Sequence, residues 1–154
     1  MPASSPLPPR GAAPVGQLAE LGTIETGAVL ALRLWGDGAQ GDLGLSGAGL
    51  DALGGAMTLL ARHGRRRLMR HGTTCACLGG DEACFAQLVA LAAAGEEEEA
   101  LMLAMLMVRG DRAPELSHHA GCLGRAIAAA CARAHMSGGD SPAPRTHPGH
   151  VVLH

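Results

Sequence analysis

Residues 81–109, DEACFAQLVALAAAGEEEEALMLAMLMVR, decide the fold class. Two apolar runs flank Gly95, and each opens on carboxylates: Asp81 and Glu82 before the first, Glu96 to Glu99 before the second. Carboxylates suit the first turn of a helix, where unpaired N–H groups and the positive end of the helix dipole lie. In the first run Cys84, Leu88 and Leu91 fall on one face, with Phe85, Val89 and Ala92 beside them, the spacing of a broad apolar helix surface. Gly95 then interrupts, so the stretch predicts an αα-hairpin or one continuous kinked helix. Leu101 to Val108 is apolar all round, which predicts the central, most buried helix and implies that Leu106→Asp unfolds the domain. Met102, Met105 and Met107 read there as core filling rather than as thioether ligands for Cu(I).

Toward the C-terminus, Arg109-Gly110-Asp111 ends the hairpin and Pro114 stands at a favourable first-turn position. From Pro114 to about Met136, Leu116, Ala120, Leu123, Ile127, Ala130, Cys131 and Ala134 form an apolar helical stripe, which makes Cys131 a core thiol. His118 and Cys122 lie one turn apart on the other side, within reach of one ion. Toward the N-terminus, Leu50 to His63 reads as a helix with Leu50, Leu53, Met57 and Leu60 on one face. Gly36 to Gly49 has no periodicity and reads as a loop. Val15 to Trp35 carries both an alternating pattern (Leu30, Leu32, Leu34) and a longer helical one (Leu18, Leu21, Ala28, Leu32, Trp35). We read it as helix, broken near Gly22 or Gly27, because a lone strand would lack a partner. The segment from Ala90 to Ala104, AAAG followed by carboxylates and alanines, resembles the hairpin of a tetratricopeptide repeat. It lacks that repeat's aromatic positions and has no second copy at a period of about 34, so the resemblance implies a helical hairpin and nothing further.

These readings predict an all-α fold, a small single-domain bundle of four or five helices over residues 15–136, between a disordered Pro/Ser-rich arm (1–14) and a disordered Gly/Pro/His tail (137–154). The 154 residues can bury a core without disulfides. With one Phe, one Trp and no Tyr, that core is aliphatic and alanine-rich. A net charge of −2 excludes a general polyanion binder, and no stretch has the roughly 18–20 apolar residues of a membrane span. The expected location is cytoplasmic, where thiols stay reduced.

The chemistry gathers in residues 71–84, HGTTCACLGGDEAC. His71, Cys75, Cys77 and Cys84 are ligands of the type zinc prefers, and Cys122 or His118 could complete the set. The spacing H-x3-C-x-C-x6-C departs from the usual C-x2-C knuckle, and cysteines as small buried hydrophobes fit equally well. Asp81 and Glu82 need no catalytic role, since a helix N-terminus accounts for them. Ahead of this loop, Arg62, Arg65, Arg66, Arg67 and Arg70 fall within nine positions. Arg65, Arg66, Arg67 and Arg70 offer a weak anion site, although a solvated surface or pairing with Glu96 to Glu99 explains them too. No aromatic residues interleave the run, so nucleic-acid binding is not expected. Two function classes follow: a protein whose Cys/His loop binds a structural Zn²⁺ or senses redox state, or a metal-free helical adaptor acting through protein contacts. An enzyme using the C-x-C pair for disulfide exchange lacks the expected αβ pattern, so the balance is against catalysis. The oligomeric state is not legible.

Overall fold

The computed structural model describes residues 9–138. Among them five α-helices carry the fold: α1 Thr23–Gly36, α2 Gly47–His63, α3 Gly80–Ala94, α4 Glu97–Met107 and α5 Ala113–Gly138. Of the arm expected at 1–14 and the tail expected at 137–154, residues 1–8 and 139–154 lie outside the described residues, and 137–138 belong to the end of α5. Residues 9–14 take part in the fold: Arg10–Ala12 forms a single 3-10 turn, and Pro14 begins a strand.

That strand corrects the purely helical reading. β1 (Pro14–Gln17) pairs antiparallel with β2 (Cys77–Gly79), with Gly16 opposite Leu78, Gln17 opposite Cys77 and an irregularity between Pro14 and Gly16. Segments of three or four residues are too short to display a period of two, and their pairing joins sequence positions some sixty residues apart. Pro14 fits at the first residue of a strand, where the missing N–H does no harm. The helix expected from Val15 therefore starts at Thr23, after β1 and a 3-10 turn at Leu18–Glu20.

Gly95, at φ +82°, ends α3 with its N–H donating to the Ala92 carbonyl, so the hairpin forms and the continuous kinked helix does not. Ser46 caps α2, its hydroxyl accepting from the Gly49 N–H at 3.2 Å.

The helix at the centre is α5, which packs against α1, α2, α3 and α4. Leu116, Ala120, Leu123 and Ile127 are its buried stripe, as the sequence predicts, whereas Ala130 and Cys131 farther along the same expected stripe are half-buried and Ala134 is exposed. Glycine lets it come close: a Cβ at Gly124 would lie 2.6 Å from the Ala93 Cβ and 2.8 Å from the Val89 carbonyl of α3, too near for any side chain. The core is built at this short range because alanine and glycine, rather than aromatic residues, face one another.

The expectation that Leu101 to Val108 is the centre is overturned. Ala100, Ala104, Met107 and Val108 are buried against α3 and α5, but Met102 is 61% exposed, Met105 39% and Leu106 68%. Met107 fills the core as read, whereas Met102 and Met105 face outward. An all-round apolar sequence signals burial only when other elements surround the helix, and here α1 and α2 pack around α3 and α5 instead.

Candidate functional site

The cysteine loop is organised by two ionised side chains that meet beneath it. Arg33 projects from the middle of α1, and Glu82 from the first turn of α3. Both side chains are 0% exposed, with Arg33 Nε donating to Glu82 Oε1 at 2.7 Å and Nη2 to Oε2 at 3.0 Å. This is the bidentate fork that a guanidinium makes with a carboxylate. Arg33 also donates to the carbonyls of Cys75 and Cys77, each at 2.7 Å. Glu82 in turn accepts the backbone N–H groups of His71 and Gly79, each at 2.9 Å. Beyond their mutual fork, the hydrogen bonds that offset the pair's lost hydration come from backbone groups of the loop it holds.

The titration shifts follow from this geometry. Burial alone would raise the Glu82 pKa, but the Arg33 fork, together with the Gly79 and His71 N–H groups, outweighs it and holds the carboxyl below its ordinary value. The hydrogen bond to Glu82 raises the Arg33 pKa against the opposing effect of burial. Both groups are charged at neutral pH.

Asp81 secures the other end of the loop. Its carboxylate accepts the Met69 N–H at 2.7 Å and pairs with Arg66, whose Nη1 lies 2.8 Å away. Both carboxylates sit at the α3 N-terminus, as the sequence suggests, but they bind residues 66–79 as well as favouring the helix dipole.

The six anticipated metal ligands are divided among separate places. His71 Nε2 lies 3.0 Å from the Ala12 carbonyl and its Nδ1 lies 3.9 Å from Cys75 Sγ. Since a carbonyl only accepts, Nε2 is the donor in the first contact, and Nδ1 is the ring atom that faces the thiol. Cys77 lies in β2 and contributes its carbonyl to Arg33. Cys84, one turn into α3, is half-buried, and burial, with Asp81 adding to it, pushes its thiol pKa up. His118 and Cys122 meet on α5, Nε2 to Sγ 3.7 Å, and Arg125 donates to the same sulfur at 3.4 Å. Among the described residues no group of three or more His, Cys, Asp or Glu side chains stands where it could hold a metal ion. All five cysteines are free thiols, and Cys131 packs against the core as read.

The arginine run is also dispersed. Arg65 Nε donates to the Met105 carbonyl at 2.6 Å, near the C-terminal end of α4, where a cation complements the helix dipole. Arg66 binds Asp81, and Arg70 binds Asp37 at 3.0 Å. Arg67 is exposed. The carboxylates that meet the run are thus Asp81 and Asp37 in place of Glu96 to Glu99.

Arg33 is the residue that the sequence patterns do not single out. Its signal is a lone charge inside Ala28-Val-Leu-Ala-Leu-Arg33-Leu-Trp35, where no solvated face exists to receive it. No helix is long and apolar enough to cross a membrane among the described residues. No family model, curated protein or solved structure matches this chain.

Proposed function

We propose that this protein is a helical interaction module that docks another helix on the outer face of α4. The observation that carries this reading is the exposed Met102, Met105 and Leu106, three large apolar side chains side by side on a helix whose opposite face is in the core. Methionine suits such a surface because its unbranched, polarizable side chain adapts to the partner. Glu98, Met102 and Met105 follow one another on α4 at steps of four and three, with Leu106 beside them, a narrow stripe of the kind that pairs helices. The stripe is acidic at its N-terminal end, and Arg65, held on the Met105 carbonyl, makes its C-terminal end basic. A second copy laid antiparallel brings acid to base at both ends and apolar to apolar between them, so the partner that fits is this chain itself. Sedimentation equilibrium of the full chain at high micromolar concentration tests the reading. We expect a dimer that Leu106→Glu converts to a folded monomer; a wild-type monomer throughout that range would overturn it.

A second reading keeps the loop thiols as a Zn²⁺ or redox site, supported by the 3.9 Å approach of His71 Nδ1 to Cys75 Sγ. Two ligands fill half of a tetrahedral shell, so residues 72–77 would have to move to add Cys77 or Cys84. Elemental analysis after purification with zinc decides it: one equivalent lost in Cys75→Ser supports the site, and a metal-free folded protein excludes it.

A further inference from the structure

A cavity of about 520 Å³ opens between α1, α2 and residues 64–70, within the range of roughly 300–1,000 Å³ typical of small-molecule sites. Its inner wall is apolar, formed by the buried Leu32, Met57 and Leu60 with the half-buried Trp35. Its outer lining is cationic: Arg66, Arg67 and Arg70 all border it, and its lining contains no Asp or Glu.

The three arginines are not equivalent. Arg66 is committed to Asp81, and the part-exposed Arg70 is shared with Asp37 across the surface. Arg67 is exposed and forms no ion pair among the described residues. The cavity therefore presents an apolar floor, one free guanidinium, and a second whose existing partner lies in solvent and competes weakly.

We propose that this cavity binds an amphiphilic anion, with the apolar body of the ligand against Leu32, Trp35, Met57 and Leu60 and its carboxylate or phosphate on Arg67 and Arg70. The floor removes hydrocarbon from water, and the guanidinium forks bind the head by charge-assisted hydrogen bonds. A cationic amphiphile meets repulsion at the rim. A neutral one gains nothing from Arg67, which stays in water, and does not displace Asp37 from Arg70. This site is independent of the α4 face, which lies on different residues.

Trp35 is the single tryptophan of the chain, so its emission reports this cavity directly. The full chain is titrated with decanoate, decyl phosphate, decanol and decyltrimethylammonium, each below its micelle concentration. Decanoate or decyl phosphate should give a saturable change in Trp35 emission at one ligand per chain by calorimetry, and the comparison between them identifies the preferred head group. Arg67→Glu should weaken that binding at least about tenfold, a loss of about 1.4 kcal/mol. Arg62→Glu, an equally exposed change outside the cavity lining, controls for net charge and should shift it less than about twofold. Absence of a saturable change with either anion would overturn the proposal. So would decanol binding as tightly as decanoate, or equal effects of the Arg67 and Arg62 substitutions.

Discussion

Arg33 and Glu82 stand 49 positions apart in the chain and meet in the interior at 2.7 Å, neither side chain touching solvent. Through this pair α1 and α3 hold four backbone groups of residues 71–79: the N–H groups of His71 and Gly79 and the carbonyls of Cys75 and Cys77. The loop richest in thiols owes its conformation to two side chains outside the C-x-C motif.

Glu82→Gln should destabilise the protein by about 3–5 kcal/mol, because it leaves the buried Arg33 charge without its counterion. Equilibrium urea denaturation measures the loss. The apolar double replacement Arg33→Met with Glu82→Leu should not restore wild-type stability, since the four backbone groups would lose their partners at about 1–3 kcal/mol for each one left buried. Hydrogen exchange at the His71 and Gly79 amides should accelerate in both variants; unchanged protection would show that the loop is held by something else.

Acid should weaken the fold through the same carboxylate. The Glu82 pKa is lowered on folding, so its contribution is complete above the unfolded value of about 4.3 and disappears as pH falls through the folded value. A stability profile from pH 7 to pH 2 should therefore decline below about 4.3. In Glu82→Gln, with no group to titrate at this position, that part of the decline should be missing. Parallel profiles for the two proteins would contradict the assignment.

Gly124→Ala should cost about 1–3 kcal/mol, despite alanine's higher helix propensity, because the added methyl enters the space of Ala93 and Val89. Gly138→Ala, where a Cβ would meet nothing within 4 Å, should be neutral or slightly stabilising. Thermal unfolding of the two variants side by side tests whether α5 approaches α3 as closely as described.

Leu106→Asp should leave a dilute sample within about 0.5 kcal/mol of wild type, as expected for a surface substitution. Leu123→Asp, which places a charge at a position with 0% exposure, should prevent folding. Far-ultraviolet circular dichroism separates the two outcomes. Unfolding by the Leu106 substitution would return α4 to the centre of the molecule.

The helices were legible along the chain. Their apolar spacing, the carboxylates at Asp81 and Glu96 to Glu99, and Gly95 at the reversal are local signals, and each helix forms near the place where they occur. Alternating apolar and polar faces also sufficed for the buried stripe of α5, because a helix with one apolar side has only one way to bury it. The tertiary structure alone decided which helix is central, since the sequence of α4 is apolar on every side and gives no direction. It also decided the pairing of β1 with β2, whose short segments carry no period. The candidate site divided in the same way. The residue types in 71–84 were visible as thiols, imidazole and carboxylates, but ligand geometry depends on where distant elements put those atoms. Arg33, contributed by α1, draws the carbonyls of Cys75 and Cys77 toward the interior. A buried ion pair satisfies itself with whatever polar groups lie nearest, and which groups are nearest is a property of packing, not of spacing along the chain.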